Sequence, residues 1–396
     1  MTFDYVARDP LGKVIKGSVD ASNREAAMQL LERDGFNVTK LESRQGKGDL
    51  FPRRVKKSEI IFFTNQLAIM VDTGINLSIA LDGISEQEEN PTFKRVMLDL
   101  KQSVEAGGNF STALSKHPKY FDTTFVSLVR AGEETGSLAE MLDRIGVYQR
   151  KEMETRGKVR SALAYPTVML VLAIGVTIFL LTYIMPKFTP LFERKGTQLP
   201  KPTVLMMAIS ELMIGYWYLW LIGFVVLIVG FFVGRRTEPG KKILDWVKIN
   251  MPILGPMFRK VTISRSIRTL GTMVGSGVQV LDAIRLSADV SGNYFYEQTW
   301  LHVYDEVTNG NRISDALAGN QLFPHTLVQM IGSGEETGKL DQVLNKVSAH
   351  YDLEVENSLR TVTRLIEPLM ISVMGVVVGG IGMSLLLPIF SLSRGG

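Results

Sequence analysis

The chain has no cysteine among its 396 residues. Disulfides, zinc–thiolate clusters and thiol nucleophiles are therefore excluded. Histidine is scarce. His117, His302, His325 and His350 lie far apart, without the spacing of a metal site. Charge is missing altogether from three long stretches, 164–185, 212–233 and 369–391. Each could cross a hydrocarbon core of ~30 Å at ~1.5 Å per residue. Charge-free runs beyond ~18 residues point to membrane spans rather than buried helices of a soluble protein. A charged-then-apolar leader is also absent, so no cleaved signal peptide is expected and insertion falls to the internal spans.

The Lys and Arg that flank these runs suggest an orientation. Arg150, Lys151, Arg156, Lys158 and Arg160 precede the first span, and Arg235, Arg236, Lys241 and Lys242 follow the second. The segment between those spans, 186–211, holds Lys187, Arg194, Lys195 and Lys201, so the charge contrast is modest. Size adds to it, because the charged regions 1–160 and 234–367 are domain-sized and 186–211 is a short link. The expected topology puts the N-terminus and both large charged regions in the cytoplasm and the C-terminus outside.

Residues 1–42 read as a small β-β-α-β unit. "FDYVARD" alternates Phe3, Tyr5 and Ala7 on one face, as a half-buried strand does. "DPLG" at 9–12 has turn chemistry. Ser22 and Glu25 have capping-box spacing ahead of a helix that stops at Gly35. Residues 43–57 hold six basic residues against one Asp and read as a solvated tether, the alternative being a patch for anionic lipid or an acidic partner. From 58 the pattern turns helical, with Ile60, Phe63, Leu67 and Met70 forming a stripe that stops at Gly74.

"GEETG" occurs twice, at 132–136 and at 334–338. Set against itself at an offset of 202, the segment 131–188 aligns with 333–390 without a gap, and 15 of the 58 positions are identical. Chance would give about three or four. The matches include Gly132/Gly334, Glu133/Glu335, Glu134/Glu336, Gly136/Gly338, Pro166/Pro368 and Pro186/Pro388. Upstream, "MVDTGINL" (70–77) resembles "MVGSGVQV" (273–280) after a one-residue slip. A unit of helical domain plus span is therefore repeated. The run 212–233 has no counterpart and returns the chain to the cytoplasm, which makes the repeats parallel rather than inverted. The expected order is a helical domain 58–162, span 164–185, periplasmic link 186–211, span 212–233, a second helical domain 234–366 and span 369–391.

The second copy, "GSGEETGKL", invites comparison with a phosphate loop. Ser333 stands where the first glycine is needed and Leu340 where the magnesium-binding hydroxyl is needed. Two adjacent glutamates also repel phosphate. The structural reading is a helix-joining loop, with Gly132, Gly136, Gly334 and Gly338 supplying turn geometry and the acids favouring the next helix N-terminus. The functional alternative is a cation or partner contact through Glu133, Glu134, Glu335 and Glu336.

Several motifs carry a family resemblance. They are Gln66-Leu67-Ala68 with Gly74 and Leu77, Tyr165-Pro166, Pro186-Lys187-Phe188, Leu199-Pro200 with Thr203, Glu367-Pro368 and the paired GEETG segments. Together they resemble the polytopic inner-membrane platform family, type II secretion system protein F and its type IV pilus assembly relatives. Asn65 departs from the pattern, since relatives usually place Arg before the Gln. The resemblance implies an all-α polytopic membrane protein with two duplicated six-helix cytoplasmic domains. It also implies a bacterial inner-membrane scaffold without enzymatic activity or cofactor. The expected partners are a hexameric secretion or pilus ATPase, bitopic inner-membrane assembly proteins, pilin-like subunits, membrane lipid and further copies of the chain, with no nucleic acid. A transporter or channel component is the alternative. It would need intramembrane acids or bases, and the three runs have none. A hydrolase would need a nucleophile, base and acid together, and no such motif is present.

Overall fold

The structure is a computed structural model that describes residues 2–8, 14–20, 24–33, 35–43, 53–193 and 200–394. The expected turn at 9–12, Ser22 and much of the 43–57 linker lie outside them. Strands β1 (Thr2–Arg8), β2 (Val14–Asp20) and β3 (Asn37–Ser43) form an antiparallel sheet in the order β2-β1-β3, with helix α1 (Arg24–Arg33) joining β2 to β3. Tyr5 faces Gly17 on β2 and Leu41 on β3. A Cβ at Gly17 would come within 2.7 Å of the Tyr5 hydroxyl, so glycine there lets the ring lie across the neighbouring strand. Ala7 and Leu31 are buried.

Helices α2 (Lys57–Asp72), α3 (Leu77–Gln87), α4 (Pro91–Glu105), α5 (Phe110–Ser115), α6 (Thr123–Thr135) and α7 (Leu138–Phe179) follow. Their starts are written locally. The side chains of Asn76, Asn90 and Asp122 accept the Ser78, Thr92 and Phe125 N–H groups, and Pro91 takes the first position of α4. Ile60, Phe63 and Leu67 are buried, as the three- and four-residue spacing predicts. Phe63 meets Phe93 edge-on at 5.6 Å and packs near Phe121 at 6.1 Å.

Beyond α7, a single π-helical turn (Leu180–Ile184) leads into α8 (Met185–Glu193). Then come α9 (Lys201–Gly215), α10 (Trp217–Gly234) and α11 (Glu238–Asn250). Two expectations change here. The segment read as a short link, 186–211, is helical over its described parts, 186–193 in α8 and 201–211 in α9. The middle apolar run is also broken, because Tyr216, at φ −115° and ψ 30°, separates α9 from α10. Hydropathy concealed α9 because Lys201 and Glu211 interrupt its apolar sequence. α9 packs against the π turn and the last long helix, whereas none of α10 is buried.

The second set comprises α12 (Gly255–Gly275), α13 (Val280–Ser291), α14 (Tyr294–Thr308), α15 (Ile313–Leu317), α16 (His325–Glu336) and α17 (Leu340–Arg394). It repeats the order and relative lengths of α2 to α7. Tyr296 and Phe323, 5.4 Å apart, occupy the places of Phe93 and Phe121. One continuous buried core joins the two sets. Among the described residues, three helical stretches are long and apolar enough to cross a membrane: Leu138–Phe188, Trp217–Gly234 and Leu340–Leu387.

Candidate functional site at the junction of the two repeats

The GEETG segments are not loops, and their acids do not lie at the start of the next helix. They form the last turns of α6 and α16. Each letter has a local reason. A Cβ at Gly132 would sit 2.8 Å from Met141 Cγ and 3.1 Å from Leu138 Cα, and one at Gly334 would sit 3.1 Å from Val343 Cβ. These glycines allow the next long helix to pack closely. Gly136 (φ 71°) and Gly338 (φ 67°) take the left-handed conformation that ends each helix. The Ser137 and Lys339 N–H groups then reach back to the carbonyls of Gly132 and Gly334, at 2.9 Å each.

The first acid turns back to cap a helix some 20 residues upstream. Glu133 accepts the Phe110 N–H at 2.5 Å and the Ser111 N–H at 3.2 Å. Glu335 accepts the Ile313 and Ser314 N–H groups at 2.7 and 2.9 Å and the Ser314 hydroxyl at 2.6 Å. Both carboxylates thus satisfy the free N–H groups of α5 and α15. The second acid is exposed in both copies. Glu134 makes no hydrogen bond or ion pair among the described residues, and Glu336 pairs with Arg312 at 2.9 Å.

The repeats meet where α7 lies against α12 and α17. Arg144 donates to the Gly275 carbonyl at 2.6 Å, and the Tyr148 hydroxyl bonds Thr269 Oγ1 at 3.0 Å. Lys158 pairs with Glu356 at 2.7 Å. Burial pushes the Tyr148 hydroxyl up to about 12, helped by the nearby Glu152 charge. Glu152 is buried at the centre of the contact. It binds Lys57 at 2.8 Å and Arg156 at 2.6 Å, with Arg265 of the second repeat at 3.9 Å. Burial alone would raise its pKa, but the Lys57 hydrogen bond and the three cations together hold it below the ordinary carboxylate value. The second repeat has the matching pair Lys260–Glu354 at 2.7 Å. At the position of Asn65 it has Arg268, which pairs with Asp352; the first repeat has Arg150 in place of that acid, and Asn65 lies against Gly146 instead. The missing arginine at 65 is thereby accommodated: its shorter amide fills the space that a Cβ at 146 would occupy.

The prolines fall into two kinds. Pro166 lies inside α7, and Pro368 inside α17, where each apolar run begins. Pro186 and Pro388 lie near the far ends, and each removes one backbone donor. In the π turn Met185 N–H bonds the Leu180 carbonyl, so in the same register Pro186 would have served Leu181. The Ser210 hydroxyl of α9 serves Leu181 instead, at 2.5 Å. In α17 the carbonyl left by Pro388 is that of Ser384, four residues earlier. Thr203 of α9 donates to it at 2.7 Å. Thr203 and Ser210 are both buried. The sequence reading singled out Thr203 as a motif residue but missed this role and missed Ser210 altogether. A small hydroxyl in an apolar helix, with a helical proline elsewhere, was the available signal.

Among the described residues no group of three or more His, Asp and Glu could hold a metal. The arrangement joins two helical bodies and ties their long helices together.

Known proteins match this duplicated architecture. The model of "Type II secretion system (T2SS), protein F" matches residues 63–186 and again 266–388. The model of the protein F N-terminal domain matches residues 1–42. The two longer matches begin 203 residues apart and end 202 apart (266 − 63 and 388 − 186), which reproduces the one-residue slip. A type IV pilus assembly protein PilC of Myxococcus xanthus is 38% identical over 395 residues, covering 99% of this chain and 95% of that protein. PilC of Thermus thermophilus is 35% identical, covering 98% of each. Type II secretion system protein F of Vibrio cholerae is 28% identical, covering 99% of this chain and 98% of that protein. The chain belongs to the type II secretion system protein F family.

Proposed function

We propose that this chain is a non-enzymatic platform in a bacterial inner membrane, part of a machine that secretes proteins or builds type IV pili. In this reading 58–162 and 234–366 are two cytoplasmic domains, each built on six helices (α2 to α7 and α12 to α17), with α11 added ahead of the second set. The N-terminus is cytoplasmic, the C-terminus is periplasmic, and three spans connect them. A hexameric ATPase acts on the cytoplasmic side, and pilin-like subunits are mounted beside the spans with the help of bitopic assembly proteins and further copies of the chain.

One observation carries the reading. The helices that make the junction are the same helices that become the apolar runs. α7 spans 42 residues and α17 spans 55. At ~1.5 Å per residue they are rods of roughly 60 and 80 Å. A displacement imposed on the cytoplasmic part is therefore carried along unbroken helix into the apolar part. The names of the relatives, pilus assembly and type II secretion proteins, support the same role.

The test interrupts the rod. A Gly-Gly insertion after Ser161 should leave the protein present in the membrane while secretion or pilus formation is lost. In parallel, photocrosslinkers at the exposed Glu134 and Val147 should capture the ATPase in native membranes. Full assembly with the flexible insertion would refute transmission through α7.

A further inference from the structure

Two cavities open on either side of α7 just before its apolar run. One, of 780 Å³, lies between α7, the start of α2 and the connection at 118–122. The other, of 300 Å³, lies between α7, α11, α12 and the connection at 291–293. Arg156 and Arg160 line both. The larger cavity adds Arg54, Lys56 and Lys119. We propose that this larger cavity, with Arg160 at its rim, is a binding site for the glycerol-phosphate headgroup of an anionic phospholipid.

Charge is the first argument. Asp122 is the one acid lining either cavity among the described residues, and its carboxylate already accepts the Phe125 N–H. Glu152 neutralises part of the neighbourhood through Lys57 and Arg156. Arg54, Lys56, Lys119 and Arg160 make no ion pair among the described residues, so four cations remain without a counter-charge. Uncompensated basic clusters at the cytoplasmic root of a span attract anionic lipid.

Gln149 is the second argument. It lines the larger cavity, is only 4% exposed, and its Oε1 has no hydrogen-bond partner. A buried carbonyl oxygen left unpaired costs free energy. A bare phosphate offers mainly acceptors. A glycerol headgroup offers hydroxyl donors for Oε1, while its phosphate meets the cations.

Position is the third argument. Arg160 stands four residues before Ala164, about 6 Å along the helix from the start of the charge-free run. α11 follows α10 directly and leaves Ile243, Trp246 and Val247 exposed on one face. An exposed apolar stripe with a tryptophan beside lysines suits the membrane interface. The opposite face of α11 buries Ile249, and Ile249 and Lys248 line the smaller cavity. Both cavities are therefore at headgroup level. The second repeat lacks the feature, because Ser358 and Val362 replace Arg156 and Arg160 at the 202-residue offset.

The inference rests on the inner-membrane reading, and the experiment separates the two. Full-length protein is first reconstituted into phosphatidylcholine vesicles and floated on a density gradient. Failure to float sinks the membrane reading itself. The detergent-purified protein is then titrated with short-chain phosphatidylglycerol, phosphatidylcholine, phosphatidic acid and inorganic phosphate, following thermal unfolding. Phosphatidylglycerol should raise the midpoint where phosphatidylcholine and inorganic phosphate do not. Loss of Lys119 and Arg160 in a K119Q/R160Q double variant should weaken the apparent affinity about 25-fold, at about fivefold per charge. Arg160→Gln alone provides the same test if the double variant folds poorly. The exposed pair Arg285→Gln/Lys346→Gln should change it less than about twofold. Gln149→Leu should weaken phosphatidylglycerol but not phosphatidic acid, which lacks the headgroup glycerol and its hydroxyls. Equal shifts with phosphatidylglycerol and phosphatidylcholine, a shift reproduced by inorganic phosphate, an unchanged phosphatidylglycerol affinity in Gln149→Leu, or equal losses in the site and control variants would overturn the proposal. Retention of an acidic protein rather than lipid by the same cations would do so as well.

Discussion

Glu335 and Glu336 are neighbours in sequence with unlike surroundings, and replacing each in turn should separate folding from function. Glu335→Ala removes an acceptor from two N–H groups and one hydroxyl at 2.6–2.9 Å. Hydrogen bonds to a charged group are worth ~1.5–3 kcal/mol, and loss of a helix cap costs ~0.5–2 kcal/mol. The N–H groups at the start of a five-residue helix can partly turn to water, so a net loss of ~2 kcal/mol is expected. Hydrogen exchange is the most direct assay. The Ile313 and Ser314 amides should exchange about thirtyfold faster, since ~1.4 kcal/mol corresponds to a factor of ten. Glu336→Gln removes one ion pair whose carboxylate is 64% exposed. Such pairs contribute ~0–1 kcal/mol, so melting and exchange should barely move. A shared structural demand therefore explains the recurrence of the first acid, and the second is available for contact with a partner. If Glu335→Ala exchanges like wild type at those two amides, the capping argument fails. If Glu336→Gln and Glu134→Gln melt normally but lose secretion or pilus formation, the outer acids meet a partner.

Three further outcomes are expected. Glu152 is held below the ordinary carboxylate range, so its contribution is complete above the unfolded value of about 4.3 and is lost as pH falls through the lower folded value. Glu152→Gln should flatten that acid limb in denaturation curves, and an unchanged limb would count against it. The Cβ of Gly132→Ala meets backbone at Leu138 as well as the flexible Met141 side chain, so a loss of ~1–3 kcal/mol should appear in thermal melts. Reporters fused after Lys201 should read as outside and those after Lys248 as inside. A second set of helices found outside would end the parallel-repeat topology.

Much of this architecture was legible because it is written at short range. The apolar spacing of Ile60, Phe63 and Leu67, the glycine stops and the charge-free runs depend on neighbours within a few residues. The duplication was legible because two diverged copies still share the helix ends that GEETG builds. What escaped is long-range. Nothing near Glu133 says that its carboxylate caps a helix beginning at Phe110. Nothing in 130–140 distinguishes an acid that caps backward from one that starts the next helix. α9 was hidden for a simpler reason: Lys201 and Glu211 lowered its apolar signal, and its packing against two distant helices supplies what hydropathy could not show. The junction at Glu152 needed the fold as well, because Lys57 and Arg265 lie far from it in sequence and on opposite sides.

The hydroxyls of α9 also have a bearing on biogenesis. When the first apolar helix enters the membrane during synthesis, Pro186 leaves the Leu181 carbonyl without its donor until Ser210 arrives, 29 residues later. The Ser384 carbonyl has the reverse relation to Thr203, which is synthesised 181 residues earlier and must wait for the last helix. A carbonyl stranded in hydrocarbon costs several kcal/mol. Insertion should therefore proceed through a half-finished stage in which α9 is docked on the first span and carries one idle hydroxyl. The last helix, on arrival, brings the Ser384 carbonyl to which the Thr203 hydroxyl donates. A chain truncated before α17 should stall at that stage, with a loosened α9 that membrane proteases cut. Thr203→Val should reproduce part of that sensitivity in the full-length protein.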